Sequence, residues 1–370
     1  MMGIIRAFQR YYVERSRAIF APQVEKREFM FMDFDDNVRR YISFESLEEL
    51  RGYLIRMVPK HAYYSVGLYD NPSSRSRNTE GAELLFDIDS TDLGCELCDR
   101  DDLYVCRSCG YESGREFDIC PRCGGSRVTK LDWLNEHCIE AALEEVKKLL
   151  DILLGDFSVN ERDLLVSYTG NRGFHVRVLA EGFIKLGKRE RMEIVDYVMA
   201  RGFSPEKIVR KTEEGYIIPD PSEEGWRGRF SRTLLSLFPD RVFKRGEELL
   251  AKISQRELRE IADEMVRRYS AEIDEAVTFD TKRLTRIPNS LHGKTGLRAM
   301  TLSLAELENF NPFINAVGLG EDQMTVRIEH KVPKFRLLDQ DYGPFNPGEV
   351  VELPAYAAAF VVLKGRGSIG

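Results

Sequence analysis

Glu83-Leu84-Leu85-Phe86-Asp87-Ile88-Asp89 is the stretch on which the fold of this chain turns. Its alternation predicts a strand, with Leu84, Phe86 and Ile88 on one face and Leu85, Asp87 and Asp89 on the other. Two carboxylates at i and i+2 lie about 7 Å apart along a strand. Backed by apolar side chains, they repel each other unless a cation neutralises them. Magnesium is held typically by a few carboxylates together with substrate phosphates. An Asp-x-Asp pair alone serves equally well as a solvated strand edge.

Further along, Leu164-Leu165-Val166-Ser167-Tyr168 and Phe174-His175-Val176-Arg177-Val178 read as two strands joined by Thr169-Gly170-Asn171-Arg172-Gly173. Arg172 sits in a glycine-shaped turn suited to an anion, with His175 on the strand beyond. Val277 to Lys282 returns to strand alternation and carries Asp280. It leads into a basic run, Arg286-Ile287-Pro288-Asn289-Ser290-Leu291-His292-Gly293-Lys294. Three carboxylates and two basic clusters make the inventory of two-metal nucleotidyl transfer.

Seven cysteines fall between Cys95 and Cys138, six of them in three Cys-x-x-Cys pairs. Such clustering reads as metal ligation rather than disulfide bonding. Cys106-x-x-Cys109 and Cys120-x-x-Cys123, each followed by glycine, predict two zinc knuckles whose four thiolates close one tetrahedral site. The segment from Cys95 to Lys130 holds seven acids and six bases, so it is no obvious grip on DNA.

These stretches, with Arg40-Tyr41-Ile42-Ser43-Phe44, resemble in order the small catalytic subunit of archaeal and eukaryotic DNA primase over about residues 27–315. The resemblance implies that Asp87, Asp89 and Asp280 bind the catalytic Mg²⁺ or Mn²⁺ ions. It implies that Arg40, Arg172, His175 and His292 hold the incoming triphosphate, with Thr169, Arg286, Ser290 and Lys294 close by. It also points to a second zinc site at Cys95, Cys98 and Cys138. The family's usual fourth cysteine is replaced by Asn135, so His137 or a ribbon cysteine would complete that set. A large primase subunit carrying an iron–sulfur domain is the implied heterodimer partner.

The expected architecture is α/β: a primase-type catalytic domain on a mixed β-sheet. Residues 1–180 form its N-terminal part, with a zinc-binding insertion at 95–130. Residues 181–272 form a helical subdomain, 273–332 the C-terminal part of the catalytic domain, and 333–370 an extended tail. Helices are predicted from Phe44 to Val58, from Ile139 to Gly155, and from a capping box at Ser254 to Tyr269. Trp226-Arg227-Gly228-Arg229-Phe230-Ser231-Arg232 reads as a surface loop, or as a clamp on single-stranded template. Lys185 to Arg191 reads as the solvated end of a helix.

The chain of 370 residues has 43% hydrophobic and 31% charged residues, a globular composition. Its longest apolar run, Ala355 to Leu363, is half a membrane span. No export segment opens the sequence, so a cytoplasmic protein is expected. A net charge of −7 excludes coating of nucleic acid by bulk positive charge. The expected activity is primer synthesis on single-stranded DNA from nucleoside triphosphates. Alternatives are a primase-like repair or plasmid polymerase, and a non-enzymatic zinc-ribbon nucleic-acid-binding factor.

Overall fold

A computed structural model describes residues 1–370. Strand Leu84–Asp89 pairs with Gly173–Val178, which pairs with Leu164–Tyr168, and Thr301–Leu302 completes a four-stranded sheet. The register sets Asp87 opposite His175 and Asp89 opposite Gly173. A Cβ at Gly173 would lie 2.2 Å from the Ile88 carbonyl oxygen, so only glycine allows the strands to close here. The apolar face, including Phe86, Ile88, Phe174 and Val176, is buried against helix Glu136–Asp151 and its neighbours. The opposite face carries the acids.

A second four-stranded sheet runs in the order Leu284–Arg286, His61–Ser65, Phe29–Met32, Val38–Ile42. It meets the first where the Thr285 hydroxyl reaches His175. The α/β architecture is the expected one, but every strand pairing is antiparallel, so the sheets are not mixed. Antiparallel sheets tolerate one open face, which a site requires.

Elements with strong local signals form as read. Leu47–Met57 is a helix capped by Ser46, and Gln255–Tyr269 starts at a complete Ser254–Glu257 capping box. Glu136–Asp151 continues through a π-helical turn, Ile152–Asp156. The insertion is a three-stranded ribbon, Leu103–Cys106 between Glu112–Ser113 and Val128–Leu131. Gly110 and Gly124 adopt left-handed φ of 69° and 70°, each donating its N–H to the carbonyl of the first cysteine in its knuckle at 2.9 Å.

Five expectations need correction. Residues 277–282 are not a strand: Glu275–Phe279 is a short helix, because the Asp274 side chain accepts the N–H groups of Ala276 and Val277. Residues 181–272 are not purely helical, since a four-stranded sheet (Arg210–Lys211, Tyr216–Ile218, Glu248–Ala251, Val242–Arg245) lies among the helices and shares the main core. Residues 333–370 are no extended tail. Ala355–Leu363 is a helix that is apolar all round and buried, and Val350–Pro354 and Gly367–Ile369 flank strand Gln323–Ile328. Trp226–Arg232 is neither loop nor clamp: it lies in helix Gly225–Leu237, with Trp226 buried and Arg229 held by Asp151 and Asp156. Of Lys185 to Arg191, Lys185, Lys188, Arg189 and Glu190 are exposed around the start of helix Lys188–Val198 as expected, but Arg191 is a buried anchor donating to the Ala82 and Glu83 carbonyls. No helix is long and apolar enough to cross a membrane.

Candidate active site

Asp87 and Asp89 stand half-buried on the open strand face. Burial first, then Asp89 and Asp274, push the Asp87 carboxyl up to about 7, with Arg283 pulling the other way. Asp89 is fixed by the N–H and hydroxyl of Thr91, at 3.0 and 2.9 Å. Asp274 was not foreseen. Its N–H donates to the Asp87 carbonyl at 2.9 Å, which brings the cap of the Glu275–Phe279 helix against the acid strand. Asp280, the expected third acid, is exposed six residues further on and accepts only the Lys282 N–H, at 2.9 Å. The helix that replaces the expected strand sets Asp274 beside the acid strand at its start and leaves Asp280 at its far end. The sequence signal was an Asp at a helix N-cap, Ile273-Asp274-Glu275-Ala276-Val277.

His175 lies between the acids and the second sheet. Its Nε2 is 3.5 Å from Asp87 Oδ1, and its Nδ1 is 2.9 Å from the Thr285 hydroxyl. Burial, with Arg286 and Arg283 nearby, brings its pKa down to about 3, so the ring is neutral at pH 7. Arg286 is buried with no carboxylate partner. It donates to the Tyr63 hydroxyl at 3.0 Å, stacks 4.7 Å over that ring, and lies 3.2 Å from His61 Nδ1. His61 and His292 meet edge to face at 5.3 Å. Burial and Arg286 lower both, His61 to about 3 and His292 well below its ordinary value. Lys294 is exposed beside them, its N–H on His292 Nδ1 at 3.1 Å. An uncompensated buried guanidinium with neutral donors around it is a receptor for an anion.

Other expected phosphate ligands sit elsewhere. The hydroxyls of Thr169 and Ser290 are spent on the carbonyls of Gly173 and Ile287, at 3.0 and 2.7 Å, so they shape turns. Arg40 pairs with buried Glu28 at 3.0 Å, on the far edge strand. Arg172 points to the sheet face opposite His175, as strand alternation requires. Only 2% of its side chain is exposed, and it contacts Asp102 at 2.7 Å, Asp99 at 3.1 Å and the Trp133 carbonyl at 2.6 Å. It ties the hairpin to the root of the cysteine ribbon instead of facing a nucleotide. The hairpin turn has a second support that the sequence did not announce: Lys364 donates to Asn171 Oδ1 at 3.0 Å and to Asp132 at 2.6 Å. Gly170, with φ of 89°, lets His292 approach, since a Cβ there would be 2.6 Å from that of His292.

The thiols of Cys106, Cys109, Cys120 and Cys123 all lie within 4.8 Å of one another, a donor set that fits one tetrahedral zinc. In the second set the Cys98 thiol reaches those of Cys95 and Cys138, but the three are not drawn into a group as tight as the ribbon's. Cys138 Sγ turns to the Cys98 carbonyl and to Asn135, and the His137 ring faces Arg100 and Glu140. Asn135 is occupied as the N-cap of the following helix, accepting the Cys138 N–H.

A family model described as DNA primase small subunit matches residues 130–304. The DNA primase small subunit of Nitrosopumilus maritimus is 32% identical over 98% of this chain and 97% of its own length. That of Cenarchaeum symbiosum is 33% identical over 100% and 98%, and that of Pyrobaculum aerophilum 31% over 99% of each. Among solved structures, the polymerase domain of Mycobacterium tuberculosis ligase D in complex with DNA covers 82% of each chain at 11% identity and a TM-score of 0.39, a likeness too slight to bear on the site. Full-length identity of this order, joined to an acidic strand face set against a basic wall, leads to one conclusion: the chain belongs to the DNA primase small-subunit family.

Proposed function

We propose that this catalytic primase subunit joins nucleotides on a single-stranded DNA template, with Asp87, Asp89 and Asp274 holding divalent cations, Mg²⁺ or Mn²⁺, and Arg286, His292 and Lys294 holding the triphosphate. One observation carries the reading. Asp87, raised to about 7 by burial first and then by Asp89 and Asp274, sits across from a buried arginine that has no acid of its own. Crowded acids fit a cation, and the free guanidinium fits a phosphate.

Two divalent cations bound there supply activation of the attacking hydroxyl and stabilisation of the departing pyrophosphate. The chain's own residues do the rest. Neutral His175, held by Thr285, orients Asp87 without adding a charge to the acidic face. Arg286, stacked on Tyr63, is preorganised for the charge that grows on the leaving group. The four ribbon cysteines would hold a structural zinc. A large primase subunit as heterodimer partner belongs to the same proposal, on the strength of the family.

The test is incorporation of labelled nucleotides on unprimed single-stranded DNA, with Mg²⁺ or Mn²⁺, with and without the large subunit. Metal-dependent products are expected from the parent and none from Asp87→Ala. Absence of product from the folded parent under all these conditions overturns the reading.

A further inference from the structure

The edge strand Val38–Ile42 carries a cationic cluster that the active site does not use. Tyr41, in the left-handed region at φ 59°, presents its ring to three guanidiniums: Arg40 and Arg75 at 5.3 Å, and Arg77 at 5.4 Å. Arg77 also lies 4.0 Å over Tyr69. Only one acid answers this charge. Glu28, fully buried, accepts from both Arg40 and Arg77, while Arg75 is exposed with no carboxylate partner. On a chain of net charge −7 this gathers positive charge against the overall trend. A residue held at positive φ to collect mutually repelling guanidiniums is a costly arrangement, and aromatic–arginine surfaces of this kind suit a polyanion with stacked bases.

Position selects which polyanion. In the second sheet, Val38–Ile42 is three strands from Leu284–Arg286, about 14 Å at the usual strand spacing. That is too far for the triphosphate held at Arg286, and equals about four nucleotides at duplex spacing. The segment bearing Arg75 and Arg77 runs directly into Thr79–Ala82 and then into the acid strand Leu84–Asp89, so the cluster is joined to the site through the chain as well as across the sheet.

We propose that Tyr41, Arg75 and Arg77 form a docking surface for the phosphate backbone of single-stranded nucleic acid leading to or from the active site. The proposal rests on the polymerising role proposed above for that site.

The experiment is fluorescence anisotropy of a labelled single-stranded oligothymidylate with the full chain, across a salt series and without nucleotide or metal. Each single-strand phosphate contact contributes about 0.7 to the salt slope. Arg75→Ala should weaken binding severalfold and reduce the slope by about 0.7. Arg75→Glu, which also neutralises a neighbouring guanidinium, should weaken it at least tenfold and reduce the slope by about 1.4. Because Arg75 is exposed and unpaired, neither variant threatens the fold. An unchanged Kd and slope in Arg75→Glu overturns the surface. Displacement of the oligonucleotide by free nucleoside triphosphate, with a raised nucleotide KM in the variant, also overturns it and gives the cluster to the nucleotide. Arg75-dependent binding by a chain that incorporates nothing refutes the catalytic reading while sustaining this one.

Discussion

Arg172→Met removes a charge from inside the protein, and its expected effect is on stability, not on nucleotide binding. The guanidinium is buried, and Asp102, its 2.7 Å partner, has no exposed side-chain surface. Breaking a buried ion pair from one side costs about 3–5 kcal/mol, because the remaining charge is left in a poor solvent. Asp102 keeps Lys130 at 2.9 Å and the Trp133 N–H at 2.6 Å, which favours the lower end of that range. The Trp133 carbonyl loses its 2.6 Å donor, adding about 1 kcal/mol. The sum is about 4 kcal/mol. At about 2.1 cal/mol/K per residue, unfolding of the whole chain carries about 0.8 kcal/mol/K, so Tm should fall by ~5 °C. Differential scanning calorimetry reads the shift, and nucleotide KM is measured on the same preparation well below the transition. A Tm within 1 °C of the parent, together with a raised nucleotide KM, would refute the burial argument and restore Arg172 to the phosphate site.

Three further outcomes follow from the site. Asp274→Ala should abolish incorporation, whereas Asp280→Ala should stay within about threefold of the parent; equal loss in both would return Asp280 to the metal set. In the metal-free chain, Asp87 at about 7 means that the folded state binds more proton than the unfolded state from about pH 4 upward, so this group's contribution to stability falls as pH rises to about 7 and stays low above it. The Tm of Asp87→Asn should therefore gain on the parent between pH 5 and 8, and Mg²⁺ should raise Tm at pH 8 in the parent alone; parallel Tm curves would remove the raised carboxyl from the argument. The purified chain should carry one tightly held zinc that Cys106→Ser or Cys123→Ser loses, with chelation opening residues 95–131 to protease; less than one equivalent by elemental analysis of reduced, fresh protein would count against the ribbon site.

What the sequence disclosed and what it hid divide along one physical line. Asp87, Asp89, the hairpin at 164–178, the two knuckles and the Ser254 capping box are all specified by neighbours within a few residues, and the structure builds each of them locally. Misreadings arose where distant segments decide. A six-residue alternation from Val277 to Lys282 is too short to separate strand from helix, and Asp274 settles it as a cap. Alternation already set Arg172 and His175 on opposite faces, but the carboxylates that claim Arg172 come from the ribbon root. Ala355–Leu363 lacks a polar stripe, which marks a helix enclosed on every side, and its role as a prop for the hairpin through Lys364 depends on a contact 193 residues away in sequence.

The pairing of Leu84–Asp89 with Gly173–Val178 has a kinetic meaning. The whole cysteine ribbon and a long helix lie between two strands that must sit side by side, and Leu284–Arg286 must reach back to His61–Ser65 across more than two hundred residues. Non-local pairing of this kind pays loop-closure entropy before any contact rewards it, so it comes late on the path to the native state. Hairpin and capped helices have only local requirements and form early, while the ribbon also waits on the metal that its four thiolates would hold. The acids and the arginine wall meet only at the final closures, so a refolding chain regains most of its helix before it has an active site at all.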